Sequence, residues 1–593
     1  MTPERGASAN TELGYKGVFL ERPNEHAKEM LDLLTKPPEK PLTDDEKEAA
    51  YRFDKNLSAT ELREGVTIKD LIKNSKEETV IAPMMFSKSF LEGKVQSDGI
   101  NIPSFESHED VEWWAAEMAL SPEVDKIELR EIFDASAEAY KEEVANLILT
   151  NTDAPEEIFN SMSVVLKPQE AIERMLDLLK ARDTLKELRK IHTEKTADNL
   201  DGAKRALTDV YLSKINGLVA EQMPILEYVA TQALMVGDEK TFTTAMDAMP
   251  TMLQKQIKKG NLERVFRNLD FLRNGVSVGE SGKPSSVSNR VKQLIAEDDV
   301  VDDLKPREAM FSEEQIKKLK TFIIQPNEAV ELVETILAKA GKLSSKKPDI
   351  DALERAGWAS DDLWQVMVDP TKNTYSVKGE RGLFLVGNKP RDLFSVLAVG
   401  LAHELTHVNQ ADSDRVVGES LSIIELQGKR TGGIREAGAD LKQTDFEMGL
   451  SGKPKPRALT YAKALKAFEN GGGVANASKA FYDEKIKILP DIDKHKAALE
   501  AVDRVMRLTR MGGINSQPMA YAEEVILADE IKDLPEETKT RALTITGLDF
   551  VDQVRLHKYG LLPDVSDNII NWQPLILEVA DNMINKAINM GNK

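Results

Sequence analysis

From about residue 105 to 275, apolar side chains recur three and four positions apart in one segment after another. "VEWWAAEMAL", "IELREIFDASAEAYKEEVANLIL", "PQEAIERMLDLLKARDTLKELRKIHTEK" and "GAKRALTDVYLSKINGLVAEQMPILEYVATQAL" each carry the stripe of an amphipathic helix. Pro168 suits a first helical position, where its missing N–H costs nothing. No strict heptad persists and no repeat of fixed period is visible, so the pattern predicts a helical bundle or array, not a coiled coil. Ahead of it, residues 1 to about 60 are polar, with a short helix in "EHAKEMLDLL", a Pro-rich linker and a further helix. Trp113 and Trp114 are expected to pack in a core. The Gly- and Ser-rich stretch at 273–290 reads as a boundary, followed by helices near 291–297 and 313–340 and a second linker, "GKLSSKKPDID". Then the texture changes. "NTYSVKGERGLFLVGN", residues 373–388, is the best strand-like stretch, predicted to form a hairpin turning between Gly379 and Gly382. "KPRDLFSVLAVGLAHELTHVNQ" follows as a strongly apolar helix with Pro390 near its first position, and the last 150 residues return to helical patterning. The expected fold class is mainly α with a small sheet. The expected organisation is a polar, helical segment at 1–104, a helical bundle at 105–275, a helical connector at 276–344 and a further domain at 345–593.

Composition narrows the chemistry. The 593 residues, 41% hydrophobic and 30% charged, are ordinary for a globular chain and argue against global disorder. A formal net charge of −21 repels phosphate backbones, which makes nucleic acid an unfavourable partner. There is no cysteine, so disulfides and thiolate metal sites are excluded, and any transition metal must be held by His, Asp or Glu. Lack of cysteine also suits export or an oxidising environment. The N-terminus has no apolar signal region and no segment is long and apolar enough for a membrane span, so export would use a signal-independent route.

The motif helix contains His403-Glu404-Leu405-Thr406-His407, the pattern H-E-x-x-H. On a helix, positions i and i+4 share a face, so both imidazoles can reach one ion, and Glu404, about 100° round the helix, can reach a water bound to it. Zinc lowers the pKa of such a water to near 7, and the carboxylate can take and return its proton. Only seven histidines are present, so a chance match is uncommon, and the strand-like segment before the motif adds a place to hold an extended peptide by β-pairing. A third protein ligand is required. Gln410 and Ser413 stand where H-x-x-G-x-x-H would continue, which excludes the metzincin pattern. Glu419, Glu425 and Glu436 follow, and only Glu436 has an acidic partner four residues on, Asp440, with a Gly-Gly pair before it that can turn the chain back.

"LAHELTHVNQ" with "IREAGAD" resembles the gluzincin metallopeptidases, over about 50 residues of the active-site helices. The resemblance implies a zincin-like metallopeptidase domain of α+β type at 345–593. It also implies Zn2+ held by His403, His407 and Glu436, with Asp440 orienting a ligand histidine. "RALTYAKALKAFENGGG" and "KAFYDEKIKI" are faintly similar to the region after the ligand glutamate in tyrosine carboxypeptidase-like metallopeptidases. That group has one more residue between its histidines, so its substrate is not carried over. Gluzincins often add a Tyr or His that stabilises the oxyanion. Tyr461, Tyr482, His495 and Tyr521 are the candidates, and Tyr521, after the loop "RMGGINSQPMA", is the one assigned the role. Arg435 and Arg457 are candidates for a substrate carboxylate.

These readings together predict a zinc-dependent hydrolase acting on a protein or peptide, with Glu404 as general base and acid. The N-terminal helices would position a protein substrate or dock to a delivery machine, as in a bacterial effector or an enzyme ejected with a phage particle. The alternative is a structural or virion scaffold protein with a non-catalytic zincin-like domain.

Overall fold

The computed structural model describes residues 27–589 apart from 74–80, 86–87, 96–101, 153–160, 195–198, 250–307, 346–362, 379–381, 426–431, 453–459, 462, 465–466, 468–473, 489–491, 510–530 and 532–533. Helix accounts for 72% of these residues, and the sheets have two or three strands, so the chain is mainly α with small sheets. No described helix is long and apolar enough to cross a membrane.

Local signals set the helix ends. Helix α1 is Ala27–Leu34 and α2 is Asp44–Ser58, the latter opened by a capping box in which Thr43 and Glu46 satisfy each other's backbone N–H groups. Each such cap is worth about 1 kcal/mol. Ser107 and Asp110 do the same for α3, His108–Leu120. The long helices are α4, Lys126–Thr150, α5, Pro168–Glu194, and α6, Asn199–Val236, with Pro168 at the first position of α5 and a left-handed Asn151 ending α4. Trp114 packs on Phe105 at 5.5 Å, but Trp113 is 47% exposed and does not join the core as expected. Two adjacent positions point about 100° apart on a helix, and only one of them faces the core here.

The helix expected over 313–340 is two helices, α7, Glu313–Thr321, and α8, Pro326–Lys339. Ile323–Ile324 between them forms a short strand paired with Arg391–Asp392, and Pro326 restarts the helix. The strand-like segment does form antiparallel strands, Ser376–Lys378 paired with Leu383–Gly387. The residues between Lys378 and Gly382 of the expected turn lie outside the described residues, while Gly382 itself has φ +57°, which favours glycine. The latter strand is central, because Gln365–Asp369 joins it on its other side in parallel register, Val366 opposite Phe384. Pro390 does not open the motif helix. Asp392 caps it by accepting from the Ser395 N–H at 2.9 Å, and the helix begins at Leu393.

That helix, α9, runs Leu393–Ser395, Val396–His403 and Glu404–Ser420, with its middle portion wound as a π-helix. Helix α10 is Gly432–Ser451, α11 is Val474–Ile488, α12 is Lys494–Thr509, α13 is Glu536–Thr544 and α14 is Trp572–Asn589. One core packs α7, α8, the three-stranded sheet, the first half of α9 and α14 through Leu332, Ile336, Trp364, Phe384, Leu401 and Ile576. Of the expected connector, α7 and α8 thus pack on the motif helix, while the helix expected near 291–297 lies outside the described residues. A second core joins α5 and α6 to Val417, Leu421 and Ile545, and a third joins α4 to α11 and α12. N-terminal helices and C-terminal segments therefore share cores.

Candidate metal centre

The site starts from the π-helical turn. Val396, Leu397, Ala398, Leu401 and Ala402 are all buried, which fixes this stretch of α9 in the core. Gly400 lets the helix lie against Tyr375, since a Cβ there would stand 3.0 Å from the ring. The π-wound stretch ends at His403 and ordinary α winding resumes at Glu404. Wider turns of this kind occur frequently at functional sites. Further along α9, buried Asp412 accepts from Trp364 Nε1 at 3.2 Å and pairs with Lys342 Nζ at 2.9 Å, tying α9 to the chain beside the sheet. Helix α10 packs against α9 and delivers Glu436 and Asp440.

His403 and His407, 7% and 5% exposed, face each other with their Nε2 atoms 3.2 Å apart. Glu436 completes the group: Oε2 is 3.6 Å from His403 Nε2 and Oε1 is 3.7 Å from His407 Nε2. One ligating atom from each residue lies within 4.8 Å of the others, so the three can hold a metal ion. Atoms bound to one tetrahedral zinc at about 2.0–2.1 Å stand roughly 3.3–3.4 Å apart, close to these separations. The donor chemistry fits as well. His403 Nδ1 lies 3.2 Å from Asp440 Oδ1, and His407 Nδ1 lies 2.7 Å from Gln410 Oε1. With both Nδ1 atoms beside acceptors, the Nε2 atoms of the two imidazoles face each other and a carboxylate. Such an arrangement calls for a cation between them, a proton or a metal ion.

The electrostatics agree. Burial opposes charging of His403, but Asp440 and Glu436 outweigh it and push its pKa up to about 10. Burial, helped by the positive charge of His403, brings His407 down to about 3, against the pull of Glu436. The Glu436 carboxyl is pulled down to about 2, because the two histidines and Arg435 overcome its burial. Glu404, 9% exposed, is pushed up to about 7 by burial and by Glu436, with His403, Arg435 and Lys378 opposing. A carboxyl poised there can both take and give a proton near neutral pH.

Of the remaining candidates, Arg435 is at the site and the others whose side chains are described are not. Glu419 is exposed, and Glu425 closes the short helix Ser422–Glu425. Tyr461, Tyr482 and the α12 residue His495 are not at the site. The two tyrosines are buried in the third core, Tyr461 edge-on to Phe481 at 5.2 Å, and His495 is half-exposed 3.8 Å from Glu142. Tyr521 and Arg457 lie outside the described residues. Arg435, half-buried, has its Nε 3.5 Å from His407 Nδ1 and acts on Glu404 and Glu436, so it belongs to the site. Sequence reasoning missed Gln410, reading it only as a departure from another motif. Its position three residues beyond His407, on the same helix face, is the signal that was there.

No protein-family model, curated protein or solved structure matches this chain.

Proposed function

We propose that this protein is a zinc-dependent hydrolase whose substrates are peptides or proteins. The observation that carries the reading is the convergence of His403, His407 and Glu436 to within 4.8 Å, with the buried carboxyl of Glu404 in electrostatic reach of His403 and Glu436. Two imidazoles and one carboxylate, with no cysteine in the chain, form the donor set of a catalytic zinc site. A bound zinc would supply Lewis acidity and lower the pKa of water to about 7. Glu404 accepts the proton of the attacking water and returns it to the leaving group, and its raised pKa suits both transfers. Arg435 and Lys378 place positive charge near that carboxyl and limit how far burial raises it. Ser376–Lys378 is an outer strand of its sheet and ends in the lysine that acts on Glu404, which supports an extended chain laid along it as the substrate.

The test is Glu404→Gln, which keeps the size of the side chain and removes the base. Zinc content and thermal stability should stay as in the wild type while cleavage of a peptide library falls about 10²- to 10⁴-fold. Equal cleavage by both proteins refutes the role of Glu404. A zinc-loaded wild type that cleaves no member of a proteome-derived library supports a structural zinc instead.

A further inference from the structure

The two imidazoles are held differently. His403 leans on a carboxylate from another helix, Asp440, at 3.2 Å. His407 is held by a neutral amide from its own helix, Gln410, at 2.7 Å. Gln410 is fully buried, and its amide nitrogen donates to two backbone carbonyls, Arg435 O at 3.0 Å and Leu543 O at 3.1 Å. Those carbonyls fix which way the amide points. Carbonyl oxygens only accept, so the –NH2 end must face them, and turning the amide over would set an oxygen against two oxygens. Oε1 must then face His407, and an oxygen at 2.7 Å from Nδ1 requires the proton on that nitrogen. The Arg435 guanidinium is a competitor for the same nitrogen, but its Nε is 3.5 Å away, at the limit of a hydrogen bond. Gly438 leaves the space the amide uses, since a Cβ there would stand 3.2 Å from Gln410 Nε2.

We propose that Gln410 is a positioning residue that locks His407 in the Nδ1–H tautomer, so that Nε2 is offered bare to a metal ion. The proposal rests on the metal-site reading above. It adds that the two backbone carbonyls, one just ahead of the Glu436 ligand and one from α13, set the tautomer through the amide. The same side chain therefore joins the motif helix to the segment that carries the third ligand. A neutral amide also orients the ring without adding a third negative charge beside Asp440 and Glu436.

The test uses the full chain labelled with 15N-histidine, in which only seven histidines contribute, and the His407 signal is the one lost in His407→Ala. Long-range proton–nitrogen correlations on the metal-free protein read the tautomer, and titration against a chelating dye reads zinc affinity. The wild type should show His407 as Nδ1–H. Gln410→Met removes the acceptor at similar size, so His407 should shift toward Nε2–H and zinc affinity should fall about 10- to 100-fold. Gln410→Glu keeps an oxygen at Nδ1 but sets its other oxygen against the two carbonyls, so it should keep the Nδ1–H tautomer while zinc affinity falls. Gly438→Ala should give a smaller fall in the same direction. An Nε2–H His407 in the wild type overturns the proposal, and so does a Gln410→Met protein with unchanged tautomer and affinity. A Gln410→Glu protein with His407 in the Nε2–H form also overturns it, because an acceptor beside Nδ1 would then not set the tautomer. If Gln410→Met does not fold, the wild-type tautomer and Gln410→Glu decide. If the wild type takes up no zinc, the proposed function fails, while the tautomer in the metal-free protein still decides the part played by Gln410.

Discussion

Helix α6 in the N-terminal region and helix α9 at the candidate site both bury polar side chains, and on α9 some of them are turned toward one another instead of the backbone. On α6, Thr208 and Thr231 donate to carbonyls one turn back on their own helix, at 2.8 Å each. Gln222 donates to Ala171 O at 3.0 Å, and the Gln232 amide accepts from the N–H of Val165 at 2.9 Å. Each of these groups ends on the backbone, where it satisfies a donor or acceptor that burial would otherwise leave costly. On α9, His403, His407 and Glu436 from α10 turn ligating atoms toward one another, with Glu404 buried beside them. Side chains that converge in this way direct their ligating atoms at one point, which folding stability alone does not call for. The comparison separates polar burial that finishes a fold from polar burial that prepares a site.

The largest effect that would sharpen this contrast is loss of metal. His403→Ala, His407→Ala or Glu436→Ala removes one of three ligands and should largely abolish zinc binding in a dye titration. Retained affinity in Glu436→Ala would mean that the third ligand comes from elsewhere. Asp440→Ala leaves the ligands in place but frees the His403 ring, and zinc affinity should drop about 10- to 100-fold.

Proton competition gives the next effect. The folded His403 has its pKa raised from 6.5 to about 10 by its two carboxylate neighbours, against the opposing effect of burial. In the metal-free protein this group contributes stability that is fully present below about pH 6.5 and is lost as pH rises through about 10. Zinc must displace that proton, so apparent affinity should rise about tenfold per pH unit between pH 7 and 9. A flat affinity over that range, measured by the same dye, would show that His403 is already neutral.

The smallest effect lies on the other side of the comparison. Gln232→Leu strips a hydrogen bond from the N–H of buried Val165 and should cost about 1–3 kcal/mol in denaturant unfolding. Its zinc affinity should equal that of the wild type. A change in zinc binding there would break the separation between the two kinds of burial.

What could be read from the sequence was local. The helices α3 to α6 follow from apolar spacing and, for α5, from Pro168 at its first position, all within a few positions of one another. The grouping of His403 and His407 follows from one helical turn, and Glu436 with Asp440 repeats the same spacing on the next helix. What could not be read was pairing over distance. Nothing in Gln365–Asp369 announces a parallel partner at Leu383–Gly387, because a short apolar run fits either orientation. The splitting of the 313–340 helix depends on Ile323–Ile324 finding Arg391–Asp392 some seventy residues away. The division of labour between Trp113 and Trp114 depends on which side of α3 meets Phe105. The contact of Gln410 with His407 is local, but the orientation of its amide depends on the distant carbonyls of Arg435 and Leu543.

Elemental analysis of protein purified without chelator, with protein concentration measured on the same sample, tests the central claim most directly. The account predicts about one zinc per chain in the wild type and in Glu404→Gln, and close to none in His403→Ala. A wild-type protein that carries no zinc and takes none up on titration would contradict it.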